Sequence, residues 1–234
     1  MSGAHPLDRP VWSTLTGRQA HLAEGDTRAW RLSADYGLFA AAADGSDESL
    51  AALAALVPPG GALATVGIAE PGPPPGIETE PHLIWQMVCG RLADATTAPA
   101  FEIVDLTQAD APQMFALARL TEPGPFFART HQLGDFVGVK DADGQLLAMA
   151  GERMRPPRFT EVSGVCTLPG QRGRGYAGAL MRVVAGRILA RGETPFLHSY
   201  AHNTGAIALY ESLGFSLRRE VTMTVLSRPR AAAG

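Results

Sequence analysis

Hydrophobic positions along this chain change period repeatedly, and the changes mark out a mixed α/β protein. In the second half, Phe101 to Leu106, Phe136 to Lys140, Gln145 to Arg153, Phe159 to Thr167 and Phe196 to Tyr200 are apolar or alternating runs of strand length. Asp110 to Leu120 carries Met114, Leu117 and Ala118 at helical spacing. A longer amphipathic run ends near Ala190, with Ala177, Leu180, Met181, Val184 and Ile188 in one stripe. Arg187 and Arg191 lie near its end, where cations suit the helix dipole, and Gly192 stops it. Thr204 to Leu213 repeats the pattern with Ala206, Leu209, Tyr210 and Leu213, closed by Gly214. Asp141-Ala142-Asp143-Gly144 reads as a hairpin turn, and Phe215 to Leu226 as one or two final strands. The predicted order is β-α-β-β-β-α-β-α-β.

The first hundred residues predict a smaller mixed unit. Thr16 to Glu24 reads as a short helix, Ala29 to Ala42 holds a strand, and Asp47 to Val57 is a helix ended by Pro58-Pro59-Gly60-Gly61. Ala62 to Ala69 and His82 to Cys89 read as strands, separated by a rigid surface loop over Glu70-Pro71-Gly72-Pro73-Pro74-Pro75-Gly76. Ala93 to Ala100 is small, polar and proline-containing, which predicts a boundary there. The expected domains are 1–98, 99–228 and a tail over 229–234.

Composition narrows the class. The 234 residues suffice for a sizeable core, and 46% hydrophobic with 18% charged residues describes a globular chain. A formal net charge of -3 without a long basic block argues against nucleic-acid binding. Cys89 and Cys166 each sit in an apolar run, so no metal site or disulfide framework is expected, and a reducing, cytoplasmic compartment is the default. Met1 to Pro10 lacks the hydrophobic stretch of a secretory signal, and no apolar run approaches the ~20 residues of a membrane span.

The chemistry concentrates where a strand breaks into Arg172-Gly173-Arg174-Gly175-Tyr176-Ala177 and a helix follows. Unpaired N–H groups at a helix start bind anions, glycines admit a phosphate closely, and two arginines add charge. Gly173 to Gly178 also spells the dinucleotide pattern G-x-G-x-x-G, with Glu193 downstream. That reading fails: Glu193 precedes the next strand rather than ending it, only 56 residues follow Gly178, and the upstream strands are joined by a hairpin. No G-x-x-x-x-G-K-[ST] is present.

Read as R-x-x-G-x-A, Arg172 to Ala177 resembles the pyrophosphate loop of the GCN5-related N-acetyltransferase (GNAT) superfamily, in particular its FR47-like branch. A second family element matches: Asn203 is followed by Ala206, Tyr210, Gly214 and Phe215. The resemblance covers about Phe101 to Arg228 and implies a mixed, mostly antiparallel central sheet flanked by helices. The N-terminal α/β unit could then be a degenerate copy of the fold.

The resemblance implies an acyltransferase that moves an acetyl group from acetyl-coenzyme A directly to an amine, without a metal. Arg172, Gly173, Arg174, Gly175, Tyr176 and Ala177 would bind the pyrophosphate, and the backbone of Val165, Cys166 and Thr167 would pair with the pantetheine arm. An unpaired N–H in that strand would polarise the thioester carbonyl. Tyr210 would protonate the departing thiolate; it lies seven residues after Asn203, about two helical turns, so the two share a face. Glu161 and Glu152 are the candidate bases. Asn203 either contacts coenzyme A or caps its helix. His198, His202, His131, Phe126 and Phe127 are candidate substrate contacts, and Cys166 is not expected to act as a nucleophile. The acceptor is expected to be a small molecule such as an amino acid, with a protein N-terminus or lysine as the alternative. A catalytically idle acyl-coenzyme A sensor is the competing reading.

Overall fold

The computed structural model of the chain describes residues 5–68, 72–94 and 98–228. The predicted tail over 229–234, the start of the 70–76 loop and the middle of the 93–100 boundary lie outside the described residues.

The C-terminal half follows the predicted order: β6 (Val104–Leu106), α3 (Ala111–Thr121), β7 (Phe136–Lys140), β8 (Leu146–Glu152), β9 (Phe159–Thr167), α4 (Tyr176–Ala190), β10 (Thr194–Tyr200), α5 (Thr204–Leu213) and β11 (Ser216–Ser227). The last run is one strand, bulged between Leu217 and Arg219. The N-terminal half holds α1 (Pro10–Leu15), β1 (Ala23–Asp26), β2 (Ala29–Leu32), β3 (Ala40–Ala42), α2 (Asp47–Leu56), β4 (Ala62–Gly67) and β5 (Glu78–Val88). Two expectations change there. The run Thr16 to Glu24, predicted as a helix, is turns, a single 3-10 turn over Ala20–Leu22 and the start of β1, and a short helix starts earlier, with Pro10 at its first position. The run Ala29 to Ala42, expected to hold a strand, holds two, β2 and β3, paired antiparallel.

Eight strands form one sheet in the order β4-β11-β5-β10-β9-β8-β7-β6. The expected boundary does not divide it. β5 lies between β10 and β11 and pairs antiparallel with both. Leu7, Val11, Leu32, Tyr36 and Phe39 pack with Leu133, Met154, Phe196 and Val221 in one buried cluster. Gln86, fully buried on β5, donates to the Leu7 carbonyl at 2.9 Å, and Gln19 donates to the Arg153 carbonyl at 2.9 Å. The composition of residues 93–100 therefore does not coincide with a division of the core. Among the described residues no helix is long and apolar enough to cross a membrane.

Two features position the site. β9 and β10 are parallel partners over three residue pairs, Thr194 with Phe159, Pro195 with Thr160 and Phe196 with Glu161. Beyond these, β9 continues along β8 and β10 along β5, so the two strands part. Within β9, the register against β8 shifts between Met149 and Gly151, and Gly164 takes a φ of 64°. A side chain at Gly164 would be strained by that φ, and its Cβ would stand 3.0 Å from the Phe136 ring.

A core shared by both halves should unfold as a unit. Tryptophan emission, which samples Trp12, Trp30 and Trp85 in the N-terminal half, and far-ultraviolet circular dichroism should give coincident denaturant transitions. Phe196→Ala, which empties a fully buried site, should lower both by about 3–5 kcal/mol. Two separated transitions, with one insensitive to the substitution, would show independent domains.

Candidate functional site

The strand-to-helix turn folds as the glycines allow. Gly173 and Gly175 have φ of 77° and 79°, and a Cβ at either would meet nothing within 4 Å, so backbone conformation and not space calls for glycine. Gly175 starts α4 without a side-chain cap, which leaves the N–H donors of the first turn for another acceptor. Arg172 to Gly178 line a cavity of about 680 Å³ with Val165, Cys166, Thr167, Gln171, Asn203, Gly205, Ala206, Leu209 and Tyr210. The Gln171 Oε1 is buried there with no partner. An uncapped helix start and two exposed arginines fit an anionic group, and the orphaned Gln171 acceptor fits an N–H or O–H donor of the same ligand, both of which coenzyme A carries. Glu193 sits past the other end of α4, about 22 Å along the axis, and is bound by Arg18 at 2.8 Å, which removes the dinucleotide reading.

Where β9 leaves β10, one edge of its backbone is unpaired. The Leu168 N–H donates to Leu147 O at 2.8 Å, and alternation then turns the Thr167 backbone groups and the Val165 carbonyl away from β8, up to the bulge at Gly164. The Val165 side chain is half-buried and faces the cavity, whereas Cys166 points into the core with Met114 and Leu117. Burial pushes the Cys166 thiol up to about 11, so it stays protonated.

Glu161 stands at the point of parting and is fully buried. Arg153 donates to its carboxylate through Nε and Nη2, each at 2.8 Å, and the His198 Nδ1 lies 2.8 Å from Oε1. Burial alone would raise its pKa, but the Arg153 charge, the Arg153 hydrogen bonds and His198 reverse this and hold it at about 2. The far side of His198 is also fixed. Its Nε2 lies 3.1 Å from the Gln86 Nε2, and the Gln86 Oε1 accepts from Arg218 at 2.8 Å. Gln86 therefore presents its amide N–H, His198 accepts at Nε2, and Nδ1–H donates to Glu161. Arg218 is anchored in turn by Asp8 at 2.5 Å.

Glu152 is equally buried but is taken out of the cleft. Arg155 pairs with it, Arg191 holds it at 2.6 Å, and it lines neither the coenzyme-sized cavity nor its neighbours. The structure thus brings Glu161, and not Glu152, to the strand parting.

A second cavity, of about 340 Å³, adjoins the first. It is lined by Glu122, Pro123, Gly124 and Pro125 from the loop after α3, by Arg153, His198, Ser199, Tyr200 and Met223, and by Phe39, Val66 and Ile84 from the N-terminal half. Val165, Asn203 and Tyr210 line both cavities. Asn203 caps α5 by accepting from the Ala206 N–H at 3.4 Å, so its capping role is realised beside the junction. Burial raises the Tyr210 phenol above its ordinary pKa, which keeps it a proton donor.

The other predicted contacts disperse. Phe126 packs edge-on against Phe136, His131 bonds to Gln108 at 2.8 Å, and His202 stacks on Tyr200; none of the three, nor Phe127, lines the second cavity. Sequence reasoning missed Phe39, Val66, Ile84, Arg153 and Glu122. Each joins the site through tertiary packing that no local motif announces.

The family described as FR47-like protein matches residues 137–224. No curated protein matches the chain. Among solved structures, a protein from Novosphingobium aromaticivorans placed in the GNAT acetyltransferase family is 47% identical over 96% of this chain and 99% of its own, with a TM-score of 0.88. A GCN5-related N-acetyltransferase from Kribbella flavida shares the fold at 18% identity and a TM-score of 0.66, covering 99% of this chain and 98% of its own. A GCN5-related N-acetyltransferase-like protein from Streptococcus suis does so at 16% identity and 0.59, covering 93% and 92%. With nearly half its residues shared end to end with one such protein, and with the glycine turn and parted strands in place, the chain belongs to the GCN5-related N-acetyltransferase family and is an acyl-coenzyme A-dependent N-acyltransferase.

Proposed function

We propose that the chain transfers an acetyl group from acetyl-coenzyme A directly to a small primary amine, at the junction marked by Val165, Asn203 and Tyr210. One observation carries this reading: the cavity with the anion-binding helix start and the smaller cavity lined partly by the N-terminal half share those three residues. The donor pyrophosphate lies against Arg172 to Ala177, and its pantetheine arm runs along the unpaired edge of Val165 to Thr167. The acceptor enters the cavity of about 340 Å³, which suits a small molecule such as an amino acid.

The amine nitrogen attacks the thioester carbon while the Val165 N–H steadies the developing oxyanion. The C–S bond breaks, Tyr210 gives its proton to the departing thiolate, and the phenolate is reprotonated from solvent before the next turnover. The proton lost by the amine leaves to solvent through the acceptor cavity. Glu161 is a poor direct base, because its acceptor positions are occupied and its pKa is about 2. Its role in this reading is to hold Arg153 and His198 where β9 and β10 part.

Tyr210→Phe should lower kcat about 100-fold in a thiol-release assay, with the acetyl-coenzyme A Kd from calorimetry unchanged. An unchanged kcat would remove Tyr210 from the acid role, and binding without turnover on any amine would favour a sensor. For Glu161 the folded pKa lies below the ordinary 4.5, so its ion pairing stabilises fully above that value and is lost as pH falls toward 2. Glu161→Gln should cost about 3 kcal/mol at pH 7, since Arg153 is left unpaired. The gap from wild type should narrow below pH 4.5; a gap independent of pH would refute the ion pair.

A further inference from the structure

Glu122 is the charged group of the acceptor cavity that the buried ion pairs leave unneutralised. Besides the two tyrosines, Tyr200 and Tyr210, three ionisable residues line that cavity: Glu122, Arg153 and His198. Arg153 is turned onto Glu161 through two hydrogen bonds, and His198 is fixed between Glu161 and Gln86. The remaining Arg153 nitrogen, Nη1, approaches the same loop, 4.0 Å from where a Cβ on Gly124 would stand, but the guanidinium charge is met by Glu161. Glu122 is exposed and, among the described residues, takes part in no ion pair.

Glu122 also breaks two local rules at once. It closes α3 with φ 48° and ψ 56°, the left-handed conformation that favours glycine. It places a negative charge at a helix C-terminus, where the dipole favours a cation. Arg119 in the last turn offsets part of the charge, and the Glu122 N–H caps the helix by donating to the Ala118 carbonyl at 2.8 Å, but a glycine there would meet the conformation and avoid the charge. Residues that break local preference in this way concentrate where function requires them.

We propose that Glu122 is the docking residue for the acceptor, receiving its ammonium group in the cavity and selecting small, positively charged primary amines. The proposal rests on the transferase reading and adds the substrate class. An alkyl amine arrives almost wholly protonated at neutral pH, so an unpaired carboxylate on the cavity wall attracts it before it loses its proton at the junction. Tyr210 and Val165 line the same cavity, so docking at Glu122 keeps the nitrogen in the chamber where transfer occurs.

Steady-state kinetics with acetyl-coenzyme A, using a series of alkyl primary amines and one uncharged arylamine, test it. Glu122→Gln should raise KM for the alkyl amines about tenfold, with the smaller change in kcat, and should leave KM for the arylamine unaltered. Glu122→Gly should raise KM in the same way and also melt about 2 °C higher, because glycine relieves both broken rules. A general structural role for Glu122 would lower the melting temperature and affect charged and uncharged amines alike. Unaltered KM for every alkyl amine in Glu122→Gln, or a lower melting temperature in Glu122→Gly, overturns the proposal while the transferase reading stands. Wild-type protein that turns over no amine overturns the transferase reading and this proposal with it.

Discussion

Two strands that begin as partners and then part are the constraint from which the site follows. β9 and β10 pair over three residues and separate after Glu161 and Phe196. Each keeps its other neighbour, so the separation leaves unpaired backbone on facing edges inside a continuous sheet. Such groups are costly to leave without partners, and an extended ligand arm with amides of its own can supply them. What fixes the point of separation is one buried carboxylate. Glu161 is bound by Arg153, just beyond β8, and by His198 on β10, so a single side chain ties together the elements on both sides of the wedge. A buried charge is tolerated only when paired and hydrogen-bonded, and here the pairing sets geometry as well.

That node reaches outward through both halves of the chain. His198 leads through Gln86 and Arg218 to Asp8 near the N-terminus. Arg153 lies over the Phe39 ring at 4.7 Å, a cation–π contact that brings the N-terminal half against the wall of the smaller cavity. The first hundred residues therefore contribute to the site itself. Phe39, Val66 and Ile84 line part of the smaller cavity, while the larger cavity at the glycine turn is lined from the C-terminal half.

Legibility in the sequence followed how local each feature is. The turn from Arg172 to Ala177 and the helix from Asn203 to Gly214 are set by consecutive residues, by glycine conformation and by capping, so they could be read directly. The C-terminal strand order was legible because each strand carries its own period. The six-residue helix from Pro10 was not, since it has no side-chain cap and holds by packing Val11 and Leu15. The choice between Glu152 and Glu161 was illegible for a different reason. Both are buried carboxylates on neighbouring strands, and only the arginines they meet across the fold separate them. The continuity of the sheet was hidden because the pairing of β5 with β10 and β11 joins residues more than a hundred positions apart.

The central claim is that the donor lies in the parted strands and against the glycine turn. Amide hydrogen exchange with and without acetyl-coenzyme A measures this at the backbone groups concerned. The account expects slowed exchange over residues 164–167 and 172–178, with little change in β1 to β3. Unchanged exchange over those segments at a saturating concentration would contradict it.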